Sequence, residues 1–171
     1  MPWWFPFDFG SFFGHSEWRV INEKGVVLFT LDVFDLGEFH HGMAWFKKKI
    51  KILSEFRYGF IDSLGNIVIE PQFEYAGNFS NNLAPVRLDG RAGYIDTAGV
   101  FTIPAIYQWA GTFSEGLAGV KKDGKYGFID NRGAIVFDFT YQGVRKFKNG
   151  RALVRDSIEW KYIYMDGDFM K

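Results

Sequence analysis

Apolar residues in this chain fall in short alternating runs, cut by glycine-bearing turns about every 6–12 residues. Tyr58-Gly59-Phe60-Ile61-Asp62 predicts a strand, Ser63-Leu64-Gly65-Asn66 a turn, and Ile67-Val68-Ile69 a returning strand. An Asp-x-x-Gly tetrad suits a type I turn closed by a left-handed residue. The carboxylate accepts from the turn amides, and glycine takes positive φ without a Cβ clash. The device recurs as Asp96-Thr97-Ala98-Gly99 and Asp130-Asn131-Arg132-Gly133, and in weaker form as Asn22-Glu23-Lys24-Gly25. In the last register Tyr164 replaces the Asp and Gly167 keeps the turn glycine. Turns this frequent exclude helix.

The pattern is periodic. An aromatic residue is followed by Gly at plus 7, Phe at plus 21 and Ala at plus 26. The aromatic is Trp18, Tyr58, Tyr126 and Trp160, with Ala92 in the third register, and from Tyr58 onward the step is 34 residues. Such a period marks an array of supersecondary units. The phenylalanines Phe39, Phe79, Phe113 and Phe147 are expected to plug each unit against its neighbour, each ring contributing roughly 2–3 kcal/mol. Ala44, Ala84, Ala118 and Ala152 mark a position too crowded for more than one methyl. A third strand, such as Leu83–Leu88 or Leu117–Lys122, meets a tight turn at Asp89-Gly90-Arg91 or Asp123-Gly124-Lys125, and the next register begins. Between the second strand and the third lies a connection rich in Pro, Gly and aromatics, such as Glu70–Phe79.

These features predict an all-β fold of about five three-stranded antiparallel meander units in a single domain over 1–171, with units beginning near Phe5, Phe39, Phe79, Phe113 and Phe147. The N-terminus reads as a degenerate third strand leading into Trp18. The first and last registers depart most from the pattern, with Arg19 and Lys161 in place of Gly, as capping units do. An open superhelical array is therefore the preferred expectation. A closed barrel or propeller-like ring is the alternative, because the chain begins and ends near one phase of the repeat.

The core Tyr126-Gly127-Phe128-Ile129-Asp130-Asn131-Arg132-Gly133, preceded by Phe113–Lys125, resembles the bacterial WG repeat, named for its Trp-Gly pair. Tyr58-Gly59 and Tyr126-Gly127 match with Tyr for Trp, Ala92-Gly93 keeps only the Gly, and Trp18 and Trp160 keep only the aromatic. The resemblance covers nearly the whole chain. It implies a bacterial β-repeat module used for binding or scaffolding, and it carries over no catalytic residues.

Composition narrows the function classes. The 171 residues hold 20 basic and 20 acidic side chains, so no global field favours nucleic acid or an anionic membrane. Cysteine is absent, which removes disulfides and thiolate metal sites. No stretch reaches the apolar length of a membrane-spanning helix. The first residues, with Pro2, Pro6 and Asp8 among the aromatics, do not read as a signal peptide, so the expected location is the bacterial cytoplasm.

Little in the chain suggests catalysis. Asp62, Asp96 and Asp130 could be read as acid–base or metal groups, but each has a turn role and each belongs to a different unit. His40 and His41 are adjacent, and neighbouring side chains on extended backbone diverge, a poor basis for a zinc site; His15 stands alone. No nucleophile elbow or phosphate-binding glycine loop occurs. The expectation is no enzyme, no cofactor and no metal.

One interruption of the period stands out. Eleven residues separate Phe46 from Tyr58, where five separate Val86 from Ala92 and Val120 from Tyr126. At a hairpin tip the extra six lengthen each arm by about three residues. This arm carries Lys47, Lys48, Lys49, Lys51 and Arg57, with a basic face (Lys49, Lys51) and an apolar one (Ile50, Ile52) expected beyond Lys49. It reads as a contact arm for an acidic protein partner, against the plainer reading of a hairpin whose lysines block edge aggregation. Trp3 and Trp4 form a second candidate surface, against a plainer role as a terminal cap. The leading functional expectation is a protein-interaction module, with a toxin-neutralising immunity protein as its specific form. The alternative is a carbohydrate or cell-wall binder using exposed aromatics such as Trp109. Nucleic acid is disfavoured by the neutral charge.

Overall fold

The computed structural model describes residues 16–50 and 55–165, and among these every regular element is a β-strand. Two compact units emerge, one ending at Asn78 and the other beginning at Phe79, a position expected to open a repeat. In the first unit, β1 (Ser16–Ile21) and β2 (Val27–Val33) form a hairpin. A four-stranded antiparallel sheet follows from β3 (Asp35–Leu36), β4 (Met43–Ile50), β5 (Glu55–Asp62) and β6 (Ile67–Phe73). β7 (Tyr75–Ala76) closes the unit.

The second unit opens with the antiparallel run β8 (Ala84–Leu88), β9 (Arg91–Ile95) and β10 (Phe101–Tyr107). Next is the sheet of β11 (Trp109–Ala110), β12 (Leu117–Lys122), β13 (Lys125–Asp130) and β14 (Ile135–Tyr141). β15 (Gly143–Val144), β16 (Arg151–Arg155) and β17 (Trp160–Tyr164) make the last sheet. None of these sheets closes into a barrel. The expectations for the N-terminal half unit, for Trp3, Trp4 and His15, for Lys51 and Ile52, and for Gly167 fall on residues outside the described ones.

Each turn forms as its residues dictate. Asp62 Oδ1 accepts from the amides of Leu64 and Asn66, both at 2.9 Å, and Gly65 takes φ +87°. Asp96 does the same for Ala98 and Val100, and Asp130 for Arg132 and Ala134. Asn22, a weaker match by sequence, makes the same pair of bonds to Lys24 and Val26 through its amide oxygen. At the hairpins, Asp89-Gly90 and Asp123-Gly124 are two-residue tips with both residues at positive φ, the type I′ geometry that matches strand twist.

Two features differ from the expected three-stranded unit. The second strand does not stop at Ile69: β6 continues through Pro71 to Phe73 by way of a bulge. Tyr58 faces Phe73 and Phe60 faces Ile69, so Gly59 alone stands opposite Glu70–Gln72. A proline fits there because a bulged residue owes no ladder hydrogen bond. The connection then contributes a short fourth strand, such as β3, β11 or β15, which pairs with the third strand of the next repeat. A second left-handed turn precedes that strand at His41-Gly42, Glu115-Gly116 and Asn149-Gly150.

The core repeats with the sequence. Phe60, Phe128 and Tyr94 are fully buried on the first strands, and Ala44, Ala84, Ala118 and Ala152 are buried on the third. The plug reading of the phenylalanines holds where the packing is described. Phe113 lies 4.8 Å from Tyr94, and Phe147 lies 5.0 Å from Phe128, so each covers an aromatic of the preceding repeat. Phe79 is buried, while Phe39 is half-buried against Val20, Leu36 and their neighbours.

Candidate functional site

The lengthened hairpin exists, in a form different from the expected one. Beyond the pair Lys48↔Arg57, which aligns with Leu88↔Arg91 in the next repeat, β4 and β5 add the pairs Lys49↔Phe56 and Ile50↔Glu55. Each arm is thus two paired residues longer. The strand register also redistributes the charge. Lys47 and Lys49 share a face with Phe56 and Tyr58, whereas Lys48 lies with Arg57, Ile50 and Glu55 on the other. Cations occupy both faces, because Lys48 sits on the Ile50 side and Phe56 brings an apolar ring to Lys49.

The five cations of the arm are not equivalent. Lys47 Nζ lies over three rings, 5.2 Å from the centroid of Phe34, 5.0 Å from Phe56 and 5.5 Å from Tyr58. Phe34 and Phe56 are themselves in contact, with centroids 4.4 Å apart. Lys47 is therefore half-buried and committed to its own fold. Arg57 is half-buried and bonded to Glu55 at 2.5 Å and to the Phe56 carbonyl. Lys48 and Lys49 point to solvent and carry the available charge among the described residues of the arm.

A cation recurs beside the register position, which is aromatic in all but the Ala92 register. Lys47 faces Tyr58, Arg87 faces Ala92, Lys121 faces Tyr126 and Arg155 faces Trp160 across the third and first strands. Lys121 lies 5.2 Å over Tyr126 and Arg155 lies 5.9 Å over Trp160. The signal was present in the sequence as a Lys or Arg at plus 29 of the four registers that extend that far, but it reads as ordinary surface charge until the strands are paired. Trp109 sits at the edge of this row on β11, 44 % exposed, with its ring edge-to-face with Tyr126 at 5.8 Å. In the first unit Tyr75 holds the matching place beside Tyr58 at 6.1 Å, and burial, with Tyr58 adding to it, pushes its hydroxyl pKa up.

The residues weighed for chemistry have other duties. Asp62, Asp96 and Asp130 bind their own turn amides. His40 lies 3.4 Å from Glu38 and brackets a turn in which His41 takes φ +52°. Tyr94 gives its buried hydroxyl to the Gly111 carbonyl at 2.7 Å, and burial pushes its pKa far up. No helix among the described residues is long and apolar enough to cross a membrane.

Why the register aromatic is followed by glycine is now visible. A Cβ on Gly59 would stand 2.5 Å from the Ile69 carbonyl oxygen, one on Gly93 2.7 Å from that of Ile103, and one on Gly127 2.5 Å from that of Phe137. The bulged second strand presses its backbone onto the first at this point. β1 and β2 pair one-for-one through Trp18↔Leu31, Arg19↔Thr30 and Val20↔Phe29, so Arg19 meets no bulge and needs no glycine.

A search among curated proteins returned no match. The family model described as a WG containing repeat matches three consecutive stretches, 58–91, 93–126 and 126–156, together more than half of the chain. With the aromatic–glycine pair, the bulge it serves and the 34-residue step all in place, the chain belongs to the WG-repeat family.

Proposed function

We propose that this β-repeat module acts without catalysis, in the bacterial cytoplasm, by binding another protein through the lengthened β4–β5 hairpin. The observation that carries this reading is the pair of extra rungs Lys49↔Phe56 and Ile50↔Glu55, which give this hairpin two more paired positions than β8–β9 has and add the exposed Lys49. Lys47, locked over three rings, stiffens the base of the arm, so a contact there costs little ordering entropy. The specific form of the proposal is an immunity protein whose arm occludes an acidic face of a cognate toxin. Capture of a partner from cell lysate by the intact chain, lost in Lys48→Glu/Lys49→Glu while circular dichroism is unchanged, supports it. Capture that survives both charge reversals refutes the arm as the contact.

The half-exposed Trp109, standing on edge against Tyr126, favours a second reading as a carbohydrate-stacking platform. A glycan array separates the two, since loss of glycan signal in Trp109→Ala with lysate capture retained points to sugar.

A further inference from the structure

Between Asp138 and Asp156 the chain carries Arg145, Lys146, Lys148, Arg151 and Arg155 and no acidic residue. The last sheet turns the three arginines to one side. Alternation along β16 places Arg151, Leu153 and Arg155 on one face, beside their partners Tyr164, Tyr162 and Trp160 on β17. The opposite face, with Ala152, Val154 and Ile163, is core. Arg145, just past β15, donates its amide to the Leu153 carbonyl at 2.7 Å, and its guanidinium lies 5.7 Å over the Trp160 ring. Arg155 lies over the same ring at 5.9 Å, and Arg151 lies 4.7 Å over Tyr162.

This face differs from its equivalents in the same unit. The positions matching Tyr162 are Phe128 and Tyr94, both fully buried, whereas Tyr162 is half-buried and all three arginines are exposed. None of the three arginines forms an ion pair among the described residues. The nearby Asp156 is committed to Lys161 at 2.6 Å and to the amides of Ile158 and Glu159. Among the described residues, three guanidiniums therefore share one surface with no acidic partner.

A guanidinium resting on an aromatic ring is pre-organised. Its N–H edge stays free to grip a carboxylate through two parallel bonds, and little side-chain freedom is lost in doing so. We infer that the outer face of the β15–β16–β17 sheet is a docking surface for an extended acidic peptide segment of a partner protein, whose carboxylates are held by Arg145, Arg151 and Arg155. Arg151 and Arg155 stand four residues apart on one strand, about 13 Å, which matches acids four residues apart in an extended peptide. A single-stranded nucleic acid fits less well. Its bases need free ring faces for stacking, and guanidiniums already lie over Trp160 and Tyr162. The inference rests on the interaction-module reading but uses a surface separate from the hairpin.

The test is fluorescence anisotropy on the full chain at low salt. The probe is a labelled Gly/Ser peptide with Glu at every fourth position; the comparators are its Gln counterpart and an oligonucleotide of equal charge. The acidic peptide is expected to bind and the Gln peptide not to. Arg145→Gln/Arg151→Gln/Arg155→Gln should lose at least about tenfold in affinity, and Lys48→Gln/Lys49→Gln should change nothing. Arg155→Lys, which keeps the charge and the strand, should itself lose several-fold and stands in if the triple variant fails to fold. The inference is overturned if the acidic peptide does not bind, if Arg155→Lys binds as well as the parent, or if the oligonucleotide binds more tightly with the same arginine dependence. Loss only in the hairpin variant also overturns it and leaves the interaction-module reading standing.

Discussion

The carbonyl oxygen of Phe137 lies 2.5 Å from where a Cβ on Gly127 would stand. Real Cβ atoms do not approach backbone oxygen that closely, so any side chain at Gly127 must push β13 and β14 apart. Gly127→Ala is therefore expected to destabilise the fold by about 2–3 kcal/mol through backbone displacement. Arg19→Ala, at the same repeat position but where β1 and β2 pair one-for-one, should stay within about 0.5 kcal/mol. Urea melts of the two variants check the contrast, and equal losses would remove the bulge as the reason for the glycine.

Asp62 gives a pH dependence. The Asn66 side-chain amide donates to its Oδ2 at 2.9 Å, and the Asn66 and Leu64 amides donate to its Oδ1. These bonds, the Asn66 side chain first, hold its pKa below the ordinary 3.8. Because the folded value is lowered, the stability it adds is complete above the unfolded value and is lost as pH falls through the folded one. Asp62→Asn keeps an amide-accepting oxygen but removes the titration. Denaturation midpoints compared at pH 7 and pH 3 should therefore fall less in the variant than in the parent.

The sequence made the repeat legible because its markers are local. Asp and Gly at fixed offsets specify a turn on their own, and the observed bonds at Asp62, Asp96 and Asp130 are those the tetrad requires. The bulge opposite Gly59 was not legible, since it depends on two strands being out of step rather than on any one run of residues. The same holds for the site. The extra length of the arm could be counted between Phe46 and Tyr58, but the loss of Lys47 to Phe34, Phe56 and Tyr58 needed the cross-strand register. The arginine face on β16 was missed because its aromatics lie on β17, and only pairing brings the two together.

Glu115 couples successive repeats through backbone. Its carboxylate oxygens accept from the amides of Asn149 at 2.7 Å and Gly150 at 2.9 Å, clamping the left-handed turn that leads into β16. Glu115→Ala should release both amides to solvent. Hydrogen exchange at Asn149 and Gly150 is expected to accelerate by about tenfold or more, with amides in β8 and β9 unchanged. Uniform acceleration along the chain would indicate global destabilisation instead of a local clamp.

Phe147 tests whether the plug couples repeats energetically. The ring is fully buried, 5.0 Å from Phe128 and 5.9 Å from Phe137, in a cluster that also holds Ala152, Val154 and Ile163. Phe147→Ala should leave a cavity between the β11–β14 and β15–β17 sheets and cost about 3–4 kcal/mol, whereas Phe147→Leu should cost about half as much. Because the lost contacts join one repeat to the next, β16 and β17 should lose exchange protection before β8 and β9 do. Denaturant titration followed by residue-resolved exchange reads both the magnitude and the order. Simultaneous loss in all strands would make the second unit a single cooperative core rather than a chain of coupled repeats.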